Sequence, residues 1–375
     1  AYSGAGAGLV VATCSLAAGA LVAAVVFGAS LSALVSTPAT YGWPWDVGVM
    51  TGFGYGDLDL EAVNRTMGGQ PDVESWSVLG FSSDITLDDE PVLAVVGLDT
   101  RDDVDFAVLS GRLPRAPDEV AVGSRTATER GLAVGDEVEV AGEGLPTRRS
   151  TVTGIAVLPP LGPFQADRTG PGTGIVLPAS IAPPELVAES VSFVGIDLAP
   201  GVEADAFLRE RRDSVASWDV AGSPPVEYAT PVRPDEIVDA EAMRNVPLVV
   251  GGLLAASALV GLGVAVALSV RARRRELAIL RSLGFTGRQL RTTVRAQAMA
   301  TMAAALVVGA PLGVAAGRFS WRSFASVLGV VTDPVMPLRW LAATVAGALV
   351  VALAAAALPA RRAARTEPVH GLRAE

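Results

Sequence analysis

Four stretches of the chain carry no charged residue: 1–45, 245–270, 296–317 and 340–360. A helix needs about 20 apolar residues to cross the hydrocarbon core of a bilayer. The most apolar parts of these stretches, residues 9–34, 246–270, 296–317 and 341–358, reach that length. The pattern therefore predicts four transmembrane helices. Between the first and second, it changes to short alternating runs at 73–79, 92–98, 120–123, 138–140, 152–157, 175–177 and 191–198, separated by Gly, Pro and Asp. Those runs predict strands. Helical spacing returns at 58–67, 124–131, 202–215 and 235–243. The predicted order is one helix, a mixed α+β domain, then three helices. Residues 159–174 are too rich in Gly and Pro for regular structure and read as a mobile loop.

Charge orients this arrangement. Residues 271–295 carry eight Arg against one Glu, and the tail 361–375 carries four Arg against two Glu. The positive-inside rule places both in the cytoplasm. Residues 46–245, with fourteen Arg against thirty-five acids, then lie outside as a separate solvated domain. Trp43, Trp45, Trp321 and Trp340 fall at the predicted outer interface, where indole rings prefer to sit. A mean hydropathy of +0.44 with only 18% charged residues argues against a cytosolic protein. The first apolar stretch is longer than a signal-peptide core and has no basic flank, which favours a membrane helix. The start at Ala1 and the missing flank lead us to expect further residues upstream.

Composition excludes much chemistry. All 29 basic residues are Arg, with one His (His370) and one Cys (Cys14). A Walker A loop and a Schiff-base enzyme each need a Lys, and a structural zinc site needs several Cys or His. We therefore expect no catalytic residue, cofactor or metal, and no nucleic-acid partner. Asp99, Asp102, Asp103 and Asp105 lack the Gly and terminal Glu of an EF-hand and read as a solvated loop. Gly170, Gly172 and Gly174 do not join a strand to a helix, so they are no nucleotide fingerprint. His370 reads as a tail residue, and Cys14 as packing in helix one. Gly309, Gly313 and Gly317 lie four apart in helix three, where small residues let helices approach closely, and Pro311 offers a kink.

The most informative stretch is residues 271–290, Arg-Ala-Arg-Arg-Arg-Glu-Leu-Ala-Ile-Leu-Arg-Ser-Leu-Gly-Phe-Thr-Gly-Arg-Gln-Leu. Leu277, Leu280 and Leu283 fall on one side of a short amphipathic helix, and Gly284 follows where a left-handed residue is wanted. Thr286 and Gln289 have capping-box spacing, with Phe285 placed to staple onto Leu290. The pattern is helix, sharp corner, new helix.

This run resembles the signature of the FtsX-like permease family, the membrane subunits of MacB/LolCDE-type ABC transporters. The tail Pro359-Ala-Arg-Arg-Ala-Ala-Arg-Thr-Glu-Pro-Val-His-Gly-Leu-Arg is similar to that family's closing motif. Gly111-Arg-Leu-Pro, Asp118-Glu-Val-Ala-Val-Gly, Gly131-Leu-Ala-Val-Gly-Asp-Glu-Val and Val152-Thr-Gly-Ile-Ala-Val resemble the MacB-type core domain, in the same order. Helix one and its Tyr41-Gly-Trp-Pro-Trp-Asp exit look like the second half of longer permeases. Two departures are the missing basic residues before helix one and His370 where the family has an acid.

The resemblance implies a membrane α-helical fold of four transmembrane helices with an extracytoplasmic α+β domain between helices 1 and 2. Its divisions are 1–45, 46–245 and 246–375. The α+β domain divides into a porter-like part, around 46–107 and 191–232, and an inserted strand-rich part, with 233–244 as a stalk. Such permeases do not hydrolyse ATP. A separate cytoplasmic ATPase dimer does so and docks on the short helix, which implies coupling roles for Arg274, Arg275, Glu276, Leu277, Leu280, Leu283, Gly284 and Gln289. A second permease unit, as a homodimer or the other half of a longer chain, and membrane lipids complete the expected partners. The implied function is export or extraction of a lipid, lipoprotein, peptide or drug-like substrate. The alternative is an ATPase-driven signalling protein that controls an external hydrolase or senses a ligand.

Overall fold

The computed structural model describes residues 2–51, 57–100, 106–142, 144–159, 170–181, 191–218, 220, 226–229, 231, 233–243, 245–272, 285–357 and 360–361. Outside the described residues lie the segment with Arg274, Arg275, Glu276, Leu277, Leu280, Leu283 and Gly284, and also Asp102, Asp103, Asp105, most of the Gly- and Pro-rich loop, and the tail with His370.

Among the described residues, four helices are long and apolar enough to cross a membrane. They are α1 (Tyr2–Ser36), α6 (Val246–Ala272), α7 (Gly287–Leu328) and α8 (Leu338–Ala355). Helix α7 extends past the uncharged stretch at both ends. Its 42 residues would measure about 63 Å at 1.5 Å per residue, and it continues through Pro311. Its start is fixed by a capping box. Thr286 N donates to Gln289 Oε1 at 2.8 Å, and Gln289 N donates back to Thr286 Oγ1 at 3.4 Å. Leu290 is buried, while Phe285 stays 43% exposed. The end of α7 is a Schellman turn: Val330 N donates to Ala325 O, Gly329 N donates to Ser326 O, and Gly329 takes φ +74°.

The chain forms two compact units. The helical unit comprises Ala1–Ala33, Glu241–Arg322 and Pro334–Glu375. Its core joins Cys14, Leu262, Val266, Ala298, Met302 and Ala352 from all four long helices. The sheet unit comprises Leu34–Ala240 and Ser323–Asp333, so it includes the last turns of α7 and the loop after them.

In chain order the sheet unit carries β1 (Val47–Thr51), α2 (Leu60–Met67), β2 (Val73–Leu87), β3 (Glu90–Thr100), β4 (Val108–Gly111) and β5 (Glu119–Gly123). There follow α3 (Ser124–Arg130), β6 (Glu137–Gly142), β7 (Leu145–Ala156), β8 (Ile175–Leu177), β9 (Val191–Leu198), α4 (Ala204–Ala216), β10 (Val226–Ala229) and α5 (Asp235–Ala242). One sheet runs β10-β1-β9-β2-β3-β8-β5-β7-β4, with β6 pairing β2 and β7. The pairs β3–β8 and β5–β7 are parallel, and the others are antiparallel. The alternating pattern missed β1, β4 and β10. Strand β1 is buried at every position, so it has no alternation to read.

Among the described residues, two hydrophobic cores sit on this sheet. One holds Val47, Val49, Val63, Met67, Trp76, Val78, Ile196 and Trp218, covered by α2 and α4. The other holds Ile85, Leu87, Val92, Val120, Val138, Val152 and Ile175, beside Ala127 of α3. Strand β2 feeds both, through Trp76 and Val78 and then Ile85 and Leu87. Its pairing with β3 shifts register between Val78 and Leu79 and again between Ser82 and Ile85, in the stretch between the cores. The β2–β3 hairpin closes through Asp88 and Asp89, both at positive φ, as a type I′ turn requires. Asp88 holds that tip to β6: its N–H donates to Glu139 O at 2.8 Å, and its Oδ1 accepts from Glu139 N at 2.7 Å.

Three of the four tryptophans expected at a lipid interface are buried in protein. Trp43 and Trp45 pack with Phe193 in the sheet unit, over Gly48 and Gly195, where the missing side chains leave room for indole. Trp321 stacks edge-on against Phe27 in the helical unit. Trp340 alone of the four is exposed, at 67%.

Candidate functional site at the first turn of α3

The predicted site residues fall at separate places. Gln289 is spent on the α7 cap. Gly309, Gly313 and Gly317 form one edge of a seam in the helical unit, facing Ser15, Gly19 and Ala23 of α1. Both rows have a spacing of four, so backbone meets backbone along the contact. A Cβ on Gly309 would strike Ser15 O, one on Gly313 would strike Gly19 O, and one on Gly317 would lie 2.9 Å from Ala23 O.

A second constellation, within the sheet unit, was not anticipated. It is centred on α3, whose N-cap is Gly123 and whose first turn therefore has no side-chain cap. Backbone takes that role. Gly172 O accepts from Arg125 N at 2.9 Å and from Thr126 N at 3.3 Å, while Gly172 N donates to Leu158 O at 2.7 Å. Gly174 N donates to Thr126 Oγ1 at 2.8 Å, and Gly174 O accepts from Gly123 N at 2.8 Å. Gly172 and Gly174 both sit at positive φ, which only glycine adopts at little cost. Residues 170–174, expected within a mobile loop, are thus tied to α3.

Three chain ends arrive at the same place. From the end of α7, Gly329 O accepts the hydroxyl of Ser124. A Cβ on Gly329 would strike Pro171 O and come within 3.3 Å of Arg125 Cβ. From the exit of α1, Thr40 O accepts from Val331 N at 3.1 Å. From the segment before α6, Glu236 on α5 lies 3.8 Å from the Arg125 guanidinium. Gly170 backs this pair, because a Cβ there would sit 2.5 Å from Arg125 Nη1 and 2.6 Å from Glu236 Oε1. Nearby in sequence, Arg233 hydrogen-bonds the hydroxyl of Tyr41. Burial pushes that hydroxyl above its usual range, and the guanidinium opposes the shift.

Among the described residues, this arrangement contains polar links and close backbone contacts, with no nucleophile held against a base. Among the described residues, no group of three His, Cys, Asp or Glu could hold a metal ion. Three segments distant in sequence, residues 170–174, the end of α7 and α5, thus meet one short helix, and the α1 exit bonds the chain just beyond Gly329. Sequence reading missed Ser124, Arg125 and Gly329. Gly329 carries a usable signal, a glycine just past an apolar helix. A hydroxyl reaching a carbonyl 205 residues away carries none.

A pocket of about 210 Å³ lies beside these contacts, lined by Ser110, Ser124, Thr128, Ser326, Val330 and Thr332 among others. Thr128 and Ser326 both donate to carbonyls of their own helices.

Two family descriptions match the chain. "FtsX-like permease C-terminal" matches residues 248–368, and "MacB-like periplasmic core domain" matches residues 6–214. Among solved structures, a permease-protein domain from Porphyromonas gingivalis is similar at 15% identity and a TM-score of 0.32, covering 50% of this chain and 88% of that one. The periplasmic region of MacB from Actinobacillus actinomycetemcomitans is similar at 11% identity and a TM-score of 0.35, covering 52% and 92%. No curated protein matches.

Proposed function

The chain belongs to the family of permeases that carry a MacB-like periplasmic core domain and an FtsX-like C-terminal domain, and from that premise we propose that it is the permease subunit, or half-subunit, of an ABC transporter. It passes the ATP-driven motion of a separate cytoplasmic ATPase dimer to an extracytoplasmic sheet unit. The sheet unit acts on a lipid, lipoprotein, peptide or drug-like substrate outside the bilayer core. Residues 46–245 are extracytoplasmic, and residues 271–295 with the tail are cytoplasmic. The observation that supports this reading best is that the α7 end and the stalk helix α5 both reach α3, while the α1 exit bonds the chain just beyond the α7 end. Such contacts let movement of membrane helices reach the sheet unit.

In this reading the segment with Arg274, Arg275, Glu276, Leu277, Leu280, Leu283 and Gly284 is the docking helix. Its apolar side enters a groove on the ATPase, and its arginines face the anionic membrane surface. Leu280→Asp puts a charge into a desolvated contact, at a cost on the order of a few kcal/mol. Gly284→Val disfavours the positive φ expected at the corner. Both variants should insert normally and lose co-purification with the ATPase, while Arg273→Lys keeps it. Normal co-purification of both Leu280→Asp and Gly284→Val would remove the docking helix from the account.

A further inference from the structure

The stalk is the obvious route by which a membrane helix could move the sheet unit, because α5 leads directly into α6. The contacts at α3 describe another. Helix α7 ends in a Schellman turn whose left-handed residue, Gly329, presents its carbonyl to Ser124 and its α-carbon to Pro171. Val330, the next residue, is fully buried, and Val331 bonds to Thr40. On the other side of this contact, α3 follows β5 directly, and Ala127 packs into the core formed by β2, β3, β5, β6, β7 and β8. That core is separated along β2 from the one beside α4 by two register shifts.

Resting on the permease reading above, we propose that the turn at Gly329 is a latch through which the third membrane helix drives the strand-rich half of the sheet unit by way of α3, independently of the stalk. Ser124 is the latch's hydrogen-bonding residue. Gly329 is its shape-determining residue: any side chain there meets both an unfavourable φ and the Pro171 carbonyl. Among the described residues, Arg125 meets the stalk through a 3.8 Å ion pair, half-exposed on the Glu236 side, and the stalk's Arg233 bonds Tyr41, the neighbour of Thr40. An ion pair of that kind contributes little, so the two routes are separable.

The test is hydrogen–deuterium exchange on the full chain in lipid nanodiscs with its co-purifying ATPase, with and without a non-hydrolysable ATP analogue. In the parent complex, the analogue should change exchange in α5 and also in α3 and the β6–β7 turn. Ser124→Ala, which deletes the bond with little risk to folding, and Gly329→Val should keep the response in α5 and lose most of it in α3 and β6–β7. A response in α3 that survives both substitutions overturns the latch. Loss of the α5 response together with that of α3 overturns its independence from the stalk. If the parent complex responds in neither place, the permease reading itself fails, and the latch with it.

Discussion

Glu119 receives an unusual set of donors for a surface carboxylate. Both terminal nitrogens of Arg112 reach it, and the backbone N–H groups of Arg115 and Ala116 add bonds of 2.8 and 3.1 Å. The Arg112 guanidinium, then those two N–H groups, hold the carboxyl down to about 2 from its usual 4.5. The folded value lies below the unfolded one, so the stabilisation is complete above the unfolded value and is lost as pH falls from about 4.5 to about 2. Glu119→Gln should therefore lower the melting temperature in detergent at neutral pH, and the gap from the parent should close across that acidic window. A gap of constant size from neutral to acid would show that lost packing, and not ionisation, is responsible. Before the structure, Arg112 and Glu119 were legible only as parts of two motifs that resemble the MacB-type domain. Their pairing depends on the turn between them, which no residue spacing announces.

At the scale of elements, the α1–α7 seam shows what small residues accomplish in a bilayer, where lipid offers no hydrophobic drive for helices to associate. Gly313→Ala pushes a methyl toward Gly19 O and should destabilise the helical unit by roughly 1–3 kcal/mol as overpacking. Gly261→Ala on α6 meets nothing within 4 Å and should be neutral or stabilising by up to about 1 kcal/mol, from helix propensity. Thermal melting of the two variants in detergent should move in opposite directions. If both fall equally, close approach is not what requires glycine at 313. The four-residue spacing of Gly309, Gly313 and Gly317 was legible in the sequence. The opposing row was not, because Ser15, Gly19 and Ala23 are lost in a helix already full of small residues. The capping box at Thr286 and Gln289 was legible, since it is wholly local. The β2–β3 hairpin was half legible: its strands alternate, but Asp-Asp is a poor advertisement for a type I′ turn.

At the scale of the whole molecule, the orientation of the chain rests on its arginines. With Cys14 replaced by Ser, a cysteine at Asp103 should react with a membrane-impermeant maleimide on intact cells, and one at Arg274 should react only after lysis. The reverse pattern would invert the topology. The four spans could be read directly because a bilayer imposes a length and a charge rule on a continuous stretch of chain. The order of the sheet, and the inclusion of the α7 end in the sheet unit, could not be read, because they depend on pairings between distant segments. One such pairing sets how the molecule can be altered by insertion or deletion. Strand β2 is a single strand shared by two cores, so the strand-rich half is no cassette joined by linkers. Cutting the chain at loops would send the whole of β2 with one half, strip β9 or β3 of a partner, and leave open edges where other chains could pair. Recombination that exchanges this half between permeases would therefore have to cross within the strand, between Val78 and Ile85, where the register is already irregular.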